Sequence, residues 1–441
     1  VDTVLLYIVG ILIFVVGLAL SIGLHEIGHL VPAKLFGVKV GQYMIGFGRT
    51  LWSRKRGETE YGIKAIPLGG YISMAGMYPP QKPGGKPRTA STGFFDTMVQ
   101  DARTASAETI TEGDEHRTFY KLPIWQRIII MLGGPFMNLL IAVVLYSVLF
   151  MGFGINQPST TLGNISECVL PAGSTATSCS ADDPAAPGAE AGLEPGDKLI
   201  AIDEVPVENW AQASGIIRDN PSRTISFVVE RDGQTITLPV TPLLTERQVF
   251  DDRNQPVTDA SGDPVTREVG FVGIGPAYET VQQPPSAVLP AVGDNIVQVG
   301  NIILNLPQRL IDIAAAAFGP EERDPNGPMS VVGVGRLTGE IASIDAPIAD
   351  RAASIVGVMA SLNVALFVFN LIPLMPLDGG HVLGALWEGI RRAFAKLFRR
   401  PDPGPIDTAK LVPITLAVAV ILGGMSALLI YADIVKPISI L

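Results

Sequence analysis

Apolar residues gather along this chain in a few long unbroken stretches with polar ground between them. Uncharged or nearly uncharged runs occupy 4–24, 128–154, 355–377 and 411–432. A helix needs roughly 20 such residues to cross a hydrocarbon core, so the pattern predicts four spans. Elsewhere the period changes. Residues 38–48 and 61–66 have strand-like composition, and the polar, turn-rich link 53–60 joins them as a hairpin. The following stretch, 67–72, is too rich in glycine for a central strand. Between the second and third runs, short strands are expected at 198–202, 224–230 and 234–240. A hairpin turn is expected at 231–233 and a short helix at 211–218. Residues 286–318 repeat apolar positions at helical spacing (Val288, Val292, Ile296, Val299, Ile303, Leu306, Leu310). They predict one amphipathic helix, lying on a membrane face or packed on the β-rich module. Residues 79–118, dense in Pro, Gly, Ser, Thr and charge, and 251–268 read as loops.

Composition agrees with a membrane location. The chain has 441 residues, 47% of them hydrophobic and 17% charged, and a mean hydropathy of +0.35. That is too apolar for a wholly soluble protein and too long for one compact domain. The net charge of -10 becomes informative once divided by segment. Residues 31–127 carry 14 Lys/Arg against 8 Asp/Glu, residues 155–353 carry 11 against 27, and residues 385–410 carry 6 against 3. The last group includes the block Arg391, Arg392, Lys396, Arg399 and Arg400. The positive-inside rule places the two basic loops in the cytoplasm and the acidic region outside, with both termini outside. The first run is no signal peptide: Asp2 precedes it where Lys or Arg is expected, it is too long, and it lacks a small-residue exit. No basic patch is interleaved with aromatics, so nucleic acid is excluded as a partner and membrane lipid is the expected surroundings. The two cysteines, Cys168 and Cys179, fall in the outer region, where a bridge and two free thiols are both open.

The fold class that follows is a polytopic α-helical membrane protein of four transmembrane helices. It carries a membrane-associated β-hairpin and an inserted extracytoplasmic β-rich domain. The expected divisions are 1–33, 34–78, 79–126, 127–154, 158–276, 286–350, 354–384, 385–410 and 411–432.

The candidate chemistry sits where the first run ends, in Ser21-Ile22-Gly23-Leu24-His25-Glu26-Ile27-Gly28-His29. A continuous helix puts His25 and His29 on one face, one turn apart, with Glu26 beside them. Two imidazoles so placed can grip a zinc ion, and the carboxylate can take a proton from an attacking water. Two histidines four apart also occur by chance on soluble helices, but an ionisable cluster at the end of a membrane span has few structural uses. A catalytic zinc site needs a third protein ligand. Asp378 is the candidate, an acid immediately after the third run. It follows a segment broken by Pro373 and Pro376, which frees the backbone to bring the carboxylate round. An ordinary Asp-Gly helix-boundary turn is the plain alternative, and His381 is a rival ligand beyond two glycines. His116, in the 79–118 loop, is an unpromising ligand. In the second run, Gly133-Gly134-Pro135-Phe136-Met137-Asn138 permits close helix approach, and Asn138 needs a hydrogen-bond partner on another helix or in the site.

Taken together, the chain resembles the site-2 protease family of intramembrane zinc metalloproteases, in particular the bacterial regulator-of-sigma-E group. The resemblance rests on His25–His29, Gly133–Asn138 and the stretch from Asn370 to His381, in that order along the chain. Residues 191–200 with 205–210 look like the core of that group's extracytoplasmic PDZ domain, which makes 158–276 PDZ-like. The resemblance implies Zn2+ on His25, His29 and Asp378, Glu26 as the base, and Asn370 helping to position substrate. Asn138, Gly69 and Gly70 are further substrate-contact candidates, the glycines because the hairpin's open edge can pair with an unwound substrate strand. It also implies the bacterial inner membrane and single-span substrates, such as anti-sigma factors already clipped by another protease, or remnant signal peptides. The PDZ-like module would then exclude substrates that keep a bulky outer domain. Two departures stand out: there is room for one PDZ domain rather than two, as in the shorter actinobacterial architecture, and the 79–118 loop is long. The competing readings are a non-enzymatic PDZ-bearing membrane scaffold or transporter, and a protease of the same core acting on pro-sigma factors.

Overall fold

A computed structural model describes residues 2–79, 94–111, 113–170, 178–180, 183–249, 257, 265–320, 323–324 and 327–438. The chain divides into two compact units, one made of Val1–Phe153 with Pro284–Leu441 and the other of Gly154–Gln283.

The helical unit begins with α1 (Asp2–Leu35), which runs unbroken through the expected span and the histidine pair. Strands β1 (Val40–Arg56) and β2 (Thr59–Met74) follow, turning at Gly57 and Glu58. The link expected over 53–60 is therefore mostly strand. β2 bends around β1, so that Met44 pairs with both Gly62 and Tyr71, and Tyr43 with both Tyr61 and Ile72. The glycine-rich end of β2 is thus an edge, not a centre, and Tyr43 anchors the sheet by donating to the Gly23 carbonyl of α1 at 2.7 Å. Next come α2 (Phe94–Glu108) and α3 (Ile124–Ser147). Helix α2 corrects the expectation of a loop over 79–118. Its own fifteen residues contain neither Pro nor Gly; those breakers concentrate in 80–93, which lies outside the described residues.

In the second unit, β3 (Ile155–Ile165), α4 (Pro187–Glu190), β4 (Lys198–Ile202) and β5 (Val205–Pro206) lead to α5 (Trp210–Asp219). Strands β6 (Ile225–Arg231), β7 (Gln234–Val240), β8 (Leu243–Gln248), β9 (Thr266–Phe271) and β10 (Ile274–Val281) follow. The main sheet runs β10-β3-β4-β6-β7 with β5 on β4, and β8 and β9 form their own hairpin. Asp232 and Gly233 both have positive φ, as the tight β6–β7 turn requires. Leu199, Ile202, Ile225, Phe227 and Val229 close the core beneath α5. Cys168 and Cys179 are bridged. Of the 251–268 loop, only 257 and 265–268 are described, and 266–268 belong to β9.

The chain returns through α6 (Val288–Leu304), α7 (Leu306–Phe318), α8 (Val331–Ser343), α9 (Ile348–Asn370), α10 (Asp378–Leu397) and α11 (Val412–Val435). The single helix expected over 286–318 is in fact two. Pro307 cannot donate to the preceding turn, so the helix stops at Asn305 and restarts. Among the described residues, five helices have the length and composition to cross a membrane: Thr3–Leu35, Ile124–Phe153, Pro285–Leu304, Ile348–Asn370 and Thr408–Val435. Four coincide with the expected runs. The fifth escapes a search for uncharged runs because Asp294 interrupts it.

Candidate metal centre

Helix α1 delivers His25 and His29 to one face, with their Nε2 atoms 3.2 Å apart. Each ring is held from behind by α3. The Nδ1–H of His29 donates to the Ile130 carbonyl at 2.7 Å. The Nδ1 of His25 lies 3.0 Å from the side-chain amide of Asn138, whose Oδ1 is buried without a partner. Turned by half a rotation, that amide would accept the His25 Nδ1 proton and satisfy Oδ1. Both rings then present a bare Nε2 to the same point, the arrangement metal-ligating histidines need behind them. The rings can be backed this closely because Gly28 and Gly133 let α1 and α3 touch backbone to backbone. A Cβ on Gly134 would come 2.7 Å from Nε2 of His25 and closer still to Nε2 of His29.

The third donor arrives from the far end of the sequence. Helix α9 ends at Asn370, and an irregular segment containing Pro373 and a cis Met375–Pro376 peptide leads to Asp378, the first residue of α10. Gly379 and Gly380 follow because the carbonyls of 371–374 crowd their α-carbons. Asp378 Oδ2 stands 3.3 Å from His25 Nε2 and 3.4 Å from His29 Nε2, buried and without a hydrogen-bond donor. Ligands about 2.0–2.1 Å from a tetrahedral zinc ion sit roughly 3.3 Å from one another. The three observed separations match that edge, so the donor set fits zinc. Among the described residues, His25, His29 and Asp378 form the sole group of three or more such side chains placed to hold a metal.

Glu26 is buried beside the pair, and β2 passes against it: a Cβ on Gly70 would meet Glu26 Cγ at 3.0 Å. Gly69, with a φ of +115°, packs under the Phe47 ring one residue away. Asn370 donates to the Leu366 carbonyl of its own helix at 2.9 Å. His381 is not one of the three converging donors, and His116 is exposed on the 109–118 segment. Asn138 is brought to the His25 imidazole rather than to the strand edge. Nothing in the local pattern of residues marks Glu388. It is 1% exposed, bonded to Arg127 of α3 at 2.6 Å and to the Ile406 N–H at 3.0 Å, and so ties the Asp378 helix to the helix that backs both histidines. One acid on an amphipathic helix resembles a solvated charge; only a partner 261 residues away reveals it.

Two imidazoles and a carboxylate converging inside a bundle of membrane-length apolar helices define a metallohydrolase that works within the membrane. Comparison with known proteins gives the particular lineage. Residues 13–399 match the model of peptidase family M50. The zinc metalloprotease Rip1 of Mycobacterium tuberculosis is 31% identical over 437 residues, covering 98% of this chain and 99% of the relative. Rip1 of Mycolicibacterium smegmatis is 32% identical over 447 aligned residues, covering 98% of each. The metalloprotease MmpA of Caulobacter vibrioides is 28% identical over 394, covering 86% of each. The chain belongs to peptidase family M50, the site-2 proteases. It is a membrane-embedded zinc metalloprotease acting on membrane proteins, which disposes of the scaffold and transporter readings.

Proposed function

We propose that His25, His29 and Asp378 hold the zinc ion, that Glu26 is the general base, and that the β2 edge presents the substrate strand. The observation that carries this is the convergence of three donor atoms, from opposite ends of the chain, at tetrahedral spacing. Zinc held there would supply Lewis-acid polarisation of a carbonyl and a lower cost of deprotonating water. Glu26 removes the proton from the attacking water and returns it to the leaving amine. Ile130 and Asn138 fix the two imidazoles from behind. A helical substrate amide is shielded by its own hydrogen bonds, so the substrate must unwind. The edge around Gly70, next to Glu26, offers the unwound strand backbone partners. Asn370, its amide nitrogen already engaged, keeps Oδ1 for a substrate N–H.

The substrates are single-span proteins whose outer part has been removed, anti-sigma factors foremost and remnant signal peptides besides, in the bacterial inner membrane. The Gly154–Gln283 unit is a PDZ-like domain outside the cell; its six-stranded sheet with α5 supports that reading. Four helices cross the membrane and Pro285–Leu304 does not. A fifth crossing would put the basic 385–410 loop outside and 305–347, with 3 Lys/Arg against 6 Asp/Glu, inside, the reverse of the positive-inside rule. Asp378→Asn tests the centre: it should lower the zinc content of the purified protein, and unchanged content would move the third ligand elsewhere. Labelling of single cysteines placed in 385–410 and 305–347 tests the topology, and reactivity of the former from outside would overturn it.

A further inference from the structure

Helix α10 has two faces that the metal centre does not use. One packs on α3, where Glu388 accepts from Arg127. The other carries Leu383, Leu386, Trp387, Ile390, Phe394 and Leu397, spaced by three and four residues and each between 46% and 73% exposed. A stripe this continuous on the surface of a protein marks a contact with something apolar. Where the stripe ends the charges begin, and they are of one sign. Arg392 is occupied by Glu388 at 3.0 Å and Asp402 at 3.5 Å. Lys396, Arg399 and Arg400 form no ion pair and no side-chain hydrogen bond among the described residues. The local acids cannot neutralise them: Glu388 is buried against Arg127, Asp402 faces Arg392, and Asp407 is bonded to Arg103.

We propose that this face of α10 is a binding site for anionic phospholipid, its apolar stripe among the acyl chains and its three free cations on the headgroups. An apolar face alone would accept any hydrocarbon. The adjoining cations select the lipid, since a cation at an anionic surface favours binding by roughly five-fold. A basic, strongly amphipathic helix is the form such sites take. The consequence reaches the metal centre, because the helix that rests on the lipid begins with Asp378. The inference rests on the membrane embedding of the chain and not on the catalytic roles proposed above, so either can fail without the other.

Quenching by brominated lipid tests it on the full chain in nanodiscs. In a W52F/W125F/W210F background, Trp387 reports from the middle of the stripe. At equal mole fraction, brominated phosphatidylglycerol should quench Trp387 at least two-fold more than brominated phosphatidylcholine. K396Q/R399Q/R400Q should remove that preference and leave the phosphatidylcholine quenching. Equal quenching by both lipids before the substitutions would overturn the proposal, leaving only hydrocarbon contact. Quenching by neither would also overturn it, showing a protein surface or second copy over the stripe. The unsubstituted chain gives an independent reading: released from mixed nanodiscs into a mass spectrometer, it should retain phosphatidylglycerol over phosphatidylcholine, and retention of the two in their bulk ratio would refute the site.

Discussion

The helical unit and the Gly154–Gln283 unit are built on opposite plans. In the smaller unit, Leu199, Ile202, Phe227 and Val229 are sealed inside, and the one buried charge among its described residues, Asp197, is paired with Arg231. In the helical unit, large apolar side chains such as Leu12, Leu20, Val144 and Ile421 point outward, while Asn138, Asn363, Thr338 and Glu388 are buried. Removing apolar surface from water contributes about 25 cal/mol per Å². Between helices in lipid the same contact gains little, because acyl chains are as apolar as leucine. Helix placement there must come from close backbone approach and polar bonds. Gly28 against Gly133, Asn363 Nδ2 donating to Ser21 Oγ at 3.0 Å, and Glu388 against Arg127 are of that kind. Small polar or steric changes inside the helical unit should therefore disturb function more than equal changes on its surface.

The largest effect belongs to Glu26→Gln, which keeps the shape and removes the proposed base. Cleavage of a reconstituted single-span reporter should fall by roughly 10³-fold or more, with zinc content unchanged by elemental analysis. Near-native cleavage would take the proton transfer away from Glu26. Next is a contrast between two glycines given the same methyl group. Gly134→Ala drives a Cβ into both imidazoles, and zinc affinity by chelator competition should drop about 10–100-fold. Gly423→Ala, on α11 with open space beyond its Cβ, should leave zinc affinity alone and gain about 0.5–1 kcal/mol of helix stability. Equal outcomes at the two sites would erase the distinction between interior and surface.

A smaller effect, on stability, follows from the buried ion pair. Arg127→Met strands the Glu388 carboxylate and should cost about 3 kcal/mol. Arg392, 3.0 Å from the same oxygen, keeps the cost toward the low end. Arg127→Met combined with Glu388→Leu should recover much of the loss. Thermal unfolding in detergent reads both, and a double variant no better than the single one would show that the pair does not clamp α3 to α10.

Local signals carried much of this in advance. The histidine pair and Glu26 lie within one turn of helix, and Asp378 stood out because acids are scarce near the apolar runs. The β6–β7 hairpin was equally plain, since Asp232-Gly233 can hardly sit elsewhere than in a tight turn. What escaped depended on partners distant in sequence or on averaging. Asn138 could be expected to need a partner, but nothing in the sequence says that the partner is His25, 113 residues away. Helix α2 was hidden by the prolines and glycines of the residues before it, and the break at Asn305 by an apolar period that runs straight across Pro307.

The smallest predicted effect lies in the Gly154–Gln283 unit, where an ordinary water-facing logic should hold. Asp197, 1% exposed, accepts from Arg231 Nε at 2.7 Å and Nη2 at 2.8 Å, and from the Glu194 N–H at 2.9 Å. The guanidinium bonds hold its carboxyl below the usual carboxylate range. An unfolded aspartate titrates near 3.9. The carboxylate therefore favours the folded state fully above about pH 3.9, and that contribution is lost as pH falls toward the lower folded value. Amide protection across β6 and β7 of the full chain, corrected for intrinsic exchange, should be level from pH 7 to about 4.5 and fall below it. Asp197→Asn should lower protection at pH 7 and flatten the acid limb. If native and variant chains instead trace parallel curves, the ion pair is not what couples this sheet to acid, and even here the apolar core alone sets the stability.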